Sequence, residues 1–394
     1  MARHIDKYLK NLLEEERFEF YQTVCNFTDH EIAKNVLHWE RESQLLPETC
    51  IRQMGELGLF GLTVEEEYGG QGGDILDLVL MSLAVGYHSP SAAITPGAAT
   101  SLGINPIHKY GTPAQKKAHL PELTAGKRMA VFGLSEPGRG SDAANPEVTA
   151  TRNPDGSYLL NKEKCWSTNA KWASHIVVHA MTDDKRPNGH RTTCFLVPMN
   201  RQGIYYQEMQ GKEVWLQSST GSITFENVRV EPEEILGELH EGFKIMVNTL
   251  NGGRLSIASL ALSSLSFALD KCSQYVQERQ QFDAPLGQFQ RVQDVLLDMD
   301  IALEQHVTWL IHLSRLYIQN KVTREQAAKL KISASRTASH LLIEAMEICG
   351  GVASLDEFGL MRHHRDLFVT RVGEGSNFAL KTMAVKPLLP DISL

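Results

Sequence analysis

The 394-residue sequence predicts a mainly helical α+β fold in three consecutive parts. These are an N-terminal helical domain over residues 1–125, a middle β-barrel-like domain over 126–238 and a C-terminal four-helix bundle over 239–394. Three observations carry the prediction. Apolar residues recur at spacings of three and four in the first part, the pattern changes to alternation in the second, and the helical period returns and persists in the third.

In the first part, KYLKNLLEEERFEFYQTVCNF and PETCIRQMGELGLFGL carry the helical spacing, and the glycine cluster EYGGQGGD interrupts it. A further helix starts at Thr112, where TPAQKKAHLPEL supplies an N-cap followed by proline at the first helical position. In the second part, RMAVFGLS, SYLLNKEKCW, SHIVVHAMT, TTCFLVP and SITFENVRV read as strands, with NPDGS and RPNGH as turns between them. In the third part, long segments around 242–278, 290–318 and 323–349 place small and aliphatic residues on one stripe. Three or four such helices argue for an antiparallel bundle.

A formal charge of −8 argues against a general nucleic-acid binder. The six cysteines are scattered, with no CxxC pair, and read as reduced core residues of a cytoplasmic protein. The charged N-terminus is unlike a secretory signal. The longest apolar run, Leu255 to Leu269, has about 15 residues where a bilayer needs roughly 20, so it is expected to be a buried helix and no membrane partner is expected. His175 and His179 share the strand-like SHIVVHA and are expected to be structural; no metal site is expected.

Five short motifs have both a structural and a functional reading. GRGSDA matches GxGxxA, but Pro137 and the strands that follow deny the helix a dinucleotide-binding βαβ unit needs. SEPGRGSD can instead be a tight turn, or a loop offering amides and hydroxyls to a ligand. Trp166 in KCWSTNA suits a core, or the flank of a planar heterocycle. In ERQQFDAPLGQFQRVQ, Arg279 can cap a helix or contact a phosphate. EICGG is a complete helix stop, or a pyrophosphate contact. RVGEGSNF places one carboxylate, Glu374, between two glycines, as a solvated loop acid or as a base.

In this order and spacing, SEPGRGSD, CWST, RQQFDAPLGQFQ, EICGG and GEGS resemble the acyl-CoA dehydrogenase family, as does GKEVWLQSSTGSITFENVRVEPEEILG. The resemblance covers nearly the whole chain and is weakest over the first 40 residues. It implies the three-part fold above, FAD as cofactor and a homotetramer or homodimer. Carried across by motif, Phe132, Leu134, Ser135, Gly140, Ser141, Trp166 and Thr168 meet the flavin, with Ser141 also near the thioester. Arg279, Phe282 and Gln290 reach the adenosine diphosphate part of a neighbouring subunit's FAD, with Glu347 and Gly351 nearby, and Ser376 contacts FAD beside the base.

Glu374 matches the family's base, which takes the α-proton of an acyl thioester while hydride leaves Cβ for flavin N5. A Glu of ordinary pKa, about 4.3, is a feeble base for a carbon acid, so desolvation is expected to raise it. The family has a second placement of the base, immediately before the arginine of LNGGRLSIA; that position is Gly253 here, which leaves Glu374. Arg254 is expected to support the site. Asn251, Gly373 and Gly375 are expected to line it, the glycines allowing close approach.

Three residues depart from the family pattern: Gly373 where tyrosine is common, Glu347 where glutamine is usual, and Asn251 where aspartate is frequent. With the small Ala98 and Ala99, Gly373 suggests room for a bulky acyl group. The expected substrate is an acyl-CoA, with an acyl or aminoacyl group on a carrier protein as the alternative. A non-catalytic flavin-binding protein of the same fold is the further alternative. Electrons are expected to leave to an electron-transfer partner or to oxygen.

Overall fold

The computed structural model describes residues 3–390 and Ile392. Eight helices build the first part: α1 (His4–Leu12), α2 (Glu15–Phe27), α3 (Val36–Arg41), α4 (Glu48–Glu56), α5 (Ile75–Gly86), α6 (Pro90–Ala98), α7 (Asn105–Tyr110) and α8 (Pro113–Thr124). Their ends follow local chemistry. Thr112 caps α8 by accepting from the Gln115 amide while the Gln115 side chain accepts from the Thr112 amide, and Pro113 takes the first helical position. Asp74 and Asp77 form the equivalent pair at α5, and Arg17 of α2 bonds both carboxylates.

The middle part is one eight-stranded sheet: β1 (Met129–Gly133), β2 (Thr149–Arg152), β3 (Tyr158–Thr168), β4 (Ala173–Met181), β5 (Thr192–Pro198), β6 (Ile204–Glu208), β7 (Thr220–Val230) and β8 (Ile235–Leu236). The order is β6-β7-β3-β2-β4-β5-β8, and β1 lies parallel to β4 with Phe132 opposite Val177. The five strands read from the sequence are present; β2, β6 and β8 were not anticipated. They are short, and β2 and β6 are largely exposed, so neither shows a clear apolar alternation.

The third part contains α9 (Gly242–Glu278), a small hairpin of β9 (Gln280–Gln281) and β10 (Ala284–Pro285), α10 (Gln290–Ile318), α11 (Arg324–Cys349), α12 (Leu360–Val372) and α13 (Asn377–Val385). Helices α9 to α12 pack as the four-helix bundle. The fourth member, α12, carries the polar run MRHHRD, which hides its helical stripe. His363 and Asp366 of that run are fully buried, His363 stacked on Phe267 and Asp366 accepting from the Trp215 amide. Helix α9 is 37 residues long, far beyond its central apolar run, and by length and composition it is able to cross a membrane. Most of that apolar stretch is instead buried inside the protein.

Two cores result. One runs without a break from the N-terminal helices into the bundle and includes Leu80, Leu260, Leu303 and Leu342. The other lies within the sheet around Val131, Leu160, Phe225 and Val228. One close meeting of the helical part and the sheet is at Gly103, in the π-helical segment Ala99–Ile104 that joins α6 to α7, where an added Cβ would lie 2.0 Å from the Ala130 carbonyl oxygen. Replacing Gly103 by alanine forces α6 and β1 apart. The expected cost is about 1–3 kcal/mol of stability, read as an earlier denaturation midpoint together with weaker retention of whatever β1 binds.

Candidate active site

Glu374 lies in the short loop between α12 and α13. Helix α12 stops at Gly373, whose backbone is already extended, and α13 begins at Ser376, whose hydroxyl accepts from the Ala379 amide. Between them Glu374 is in the left-handed region at φ +54°, and Gly375 follows at +89°. A side chain there costs about 1–2 kcal/mol, so surrounding contacts must hold it. Arg254 of α9 supplies one, donating from Nε to the Glu374 carbonyl at 3.3 Å, while its Nη1 donates to Asn251 Oδ1 at 2.7 Å. Asn251 therefore orients Arg254.

The carboxylate turns back into the protein. Glu374 Oε2 is buried with no hydrogen-bond partner among the described residues. It rests on α9 where that helix has no side chain: a Cβ on Gly253 would come within 2.6 Å of the Glu374 carboxyl carbon. Gly253 is where the resemblance puts the alternative base, so two places far apart in sequence meet at one point in space. Burial pushes the Glu374 carboxyl up to about 7, with Arg254 and Lys331 pulling the other way. Lys331 was not anticipated as part of this site.

Phe132, Leu134 and Ser135 lie on or just after β1, beside the end of β3 that carries Trp166 and Thr168; the Cys165 amide donates to the Ser135 carbonyl at 2.9 Å. The pairing of β3 with β7 slips between Lys164 and Ser167. Trp166 occupies that bulge at φ +58° and is 64% exposed. Gly140 and Ser141 follow in an open loop with no helix behind them. A buried pair anchors this loop: Lys164 Nζ donates to Glu136 Oε1 at 2.6 Å and to the Leu134 carbonyl at 3.1 Å, and the Glu136 carboxylate accepts from the Glu147 and Val148 amides. Both side chains are fully buried. Glu136 is the first of the two acids in SEPGRGSD and Lys164 begins KCWSTNA, so the signal was in the motifs, but strand alternation does not show that the two meet.

Arg279, Phe282 and Gln290 lie at the far end of α9, around the β9–β10 hairpin, and are exposed; Phe282 is 88% exposed. Glu347 and Gly351, at the end of α11, are exposed at the same end of the bundle, where Cys272 and Cys349 meet with sulfurs 3.4 Å apart. Left-handed Gly350, rather than Gly351, stops the helix. Arg279 is 25 residues beyond Arg254 on α9, about 37 Å at 1.5 Å per residue.

Three family models match the chain in turn: the acyl-CoA dehydrogenase N-terminal domain over residues 14–127, the middle domain over 131–228 and the C-terminal domain over 240–386. The chain belongs to the acyl-CoA dehydrogenase family. It is an oxidoreductase acting on CH–CH groups. A probable acyl-CoA dehydrogenase of Bacillus subtilis is 35% identical over 93% of this chain and 96% of that protein. The structure of butyryl-CoA dehydrogenase from Megasphaera elsdenii is similar with a TM-score of 0.92 and 33% identity, covering 96% of this chain and 99% of that one. A glutaryl-CoA dehydrogenase from Mycobacterium smegmatis, in complex with FADH2, gives a TM-score of 0.92 at 28% identity, covering 98% and 97%.

Acyl-CoA dehydrogenases are FAD enzymes, and the residues here suit that group. Ser167 Oγ, Thr95 Oγ1 and Asn169 Oδ1 are buried polar atoms with no partner among the described residues, on β3, on α6 and in the turn after β3. The Asn169 side chain joins these elements by donating to the Thr95 carbonyl at 2.9 Å. Beside them Trp166 presents an uncovered indole. A planar, polar-edged ring system satisfies both features.

Two outcomes are expected. Gly253→Ala displaces the Glu374 carboxylate by steric contact while leaving β1 and β3 untouched, so turnover falls and FAD stays bound; loss of FAD instead contradicts this geometry. Lys164→Met leaves Glu136 buried without its cation and lowers stability by about 3–5 kcal/mol, measured by denaturant unfolding.

Proposed function

We propose that this acyl-CoA dehydrogenase oxidises the Cα–Cβ bond of a short acyl-CoA thioester, with Glu374 removing the α-proton. One observation carries this reading: a buried carboxylate oxygen, without a hydrogen-bond partner, on a carboxyl pushed up to about 7. Such a group is ionised near neutral pH and basic enough to be useful there. Its amide makes no hydrogen bond to the chain among the described residues, which leaves it free to donate to the thioester carbonyl. That donation polarises the carbonyl and stabilises charge developing on its oxygen. Arg254 holds the loop carbonyl from behind. FAD, when bound, accepts the hydride from Cβ. The proton ends on Glu374 and the product is the α,β-unsaturated thioester.

The similarity to a butyryl-CoA dehydrogenase supports a short acyl group, and Gly373 supports tolerance of a branch near the thioester. A homotetramer accounts for the exposed Phe282. Arg279 stands about 37 Å from Arg254 along a straight helix, so its hairpin suits a cofactor seated in another copy. We further propose that the electrons leave to a separate electron-transfer protein.

Anaerobic titration with straight and branched acyl-CoAs is the test. Flavin bleaching by one of them is expected, with turnover lost by about 10²–10⁴-fold in Glu374→Gln while FAD remains bound. Bleaching only by acylated carrier protein would overturn the acyl-CoA assignment. The sign of the pH dependence follows from the base: Glu374 must be ionised, so kcat/KM falls about tenfold per unit as pH drops below about 7. In Phe282→Ser, FAD is expected to dissociate more readily on gel filtration, with Glu374 intact.

A further inference from the structure

Lys331 lies on α11 with its side chain fully buried. Its ammonium donates to the Arg371 carbonyl at 3.2 Å, the Gly375 carbonyl at 2.9 Å and Asn377 Oδ1 at 3.0 Å. An ammonium has three donors and no acceptor, so its capacity is filled. The acceptors are the last turn of α12, the loop and the first residue of α13. They bracket Glu374 on both sides. Asn377 is held in turn, donating to Ser335 Oγ at 2.9 Å, one turn further along α11.

We propose that Lys331 is a positioning residue for proton abstraction: it clamps the backbone of 371–377 so that Glu374 keeps its left-handed conformation against Gly253, and its charge sets the proton affinity of that carboxylate. The inference rests on Glu374 being the base. A buried ammonium is costly, and an apolar side chain of similar length fills the same space at no electrostatic cost. What an apolar side chain does not supply is three donors converging on this loop, or a second cation beside the carboxylate.

The charges around the pair come from every neighbouring element. Arg254 on α9 and Lys331 on α11 face Glu374. Arg371 on α12 acts on Lys331, and Arg324 at the start of α11 acts on Arg254. Burial pushes Glu374 up and Lys331 down, each to about 7, so the two titrate together. The reactive ionic state has Glu374 as carboxylate and Lys331 as ammonium. Without the ammonium, Arg254 alone opposes burial.

The experiment compares Lys331→Met with the wild-type holoenzyme in two readouts. The acid limb of the kcat/KM profile is expected to move up by about one pH unit. Amide hydrogen exchange across 371–377, measured without substrate, is expected to be at least about tenfold faster. Both changes are required. An unmoved limb with faster exchange describes a merely structural lysine and overturns the proposal; unchanged exchange overturns the clamp. Asn377→Ala removes one acceptor but keeps the charge, so exchange is expected to rise while the limb stays in place. If Lys331→Met fails to fold, Asn377→Ala decides, and wild-type protection there overturns the proposal. Exchange does not depend on which residue is the base. Retained turnover in Glu374→Gln would therefore sink the base assignment separately.

Discussion

A half-buried carboxyl group, with one oxygen shut away and unpaired among the described residues against the bare backbone of a helix, is the constraint around which this protein is organised. Left alone, such a group protonates, because burial disfavours its charged form. Arg254 and Lys331 limit that tendency without bonding the carboxylate oxygens. Arg254 takes the Glu374 carbonyl, and Lys331 takes acceptors on either side. The result is a carboxylate of intermediate proton affinity with a free lone pair, as the proposed role of a base requires. Neutralising it with a direct ion pair would depress its pKa and occupy that lone pair.

Helix α9 makes the arrangement possible. It is the element that the N-terminal helices, the sheet and the bundle all touch. Its small residues let neighbours come close. Gly253 admits the carboxylate, and a Cβ on Gly86 of α5 would lie only 2.4 Å from Ser263 Oγ of α9. One apolar core links the helical part to the bundle, so the base is fixed relative to α6. The sheet has a second core of its own on one side, while Ala130 and Phe132 of β1, Val177 of β4 and Leu196 of β5 face the helical core, beside the close backbone contact at Gly103 and the Asn169–Thr95 bond. The helix that Glu374 rests on and the strand that carries Phe132 thus share one apolar core, with polar and steric contacts adding register.

Several groups in and around the candidate site break local rules. Trp166 and Glu374 both adopt positive φ, Trp166 and Phe282 are large apolar side chains left open, and Glu136 and Lys164 are charges with no access to water. Each is unfavourable for the chain alone. Each makes sense when a planar cofactor and a thioester are counted as part of the folded assembly.

The sequence by itself determined the three-part order, the five principal strands, the three long helices, the α8 cap and a lone acid set between glycines. These are consequences of periodicity and capping, which act over a few residues and so are written locally. The fourth bundle helix escaped because its buried face carries His363 and Asp366, whose burial depends on Phe267 and Trp215, far away in the chain. Only the tertiary structure decided that Glu374 rests on Gly253, that Glu136 pairs with Lys164, and that Lys331 grips both sides of the base. Burial and charge proximity are set by whichever segments the fold brings together, and residues 28, 40 or 120 positions apart leave no periodic trace of meeting.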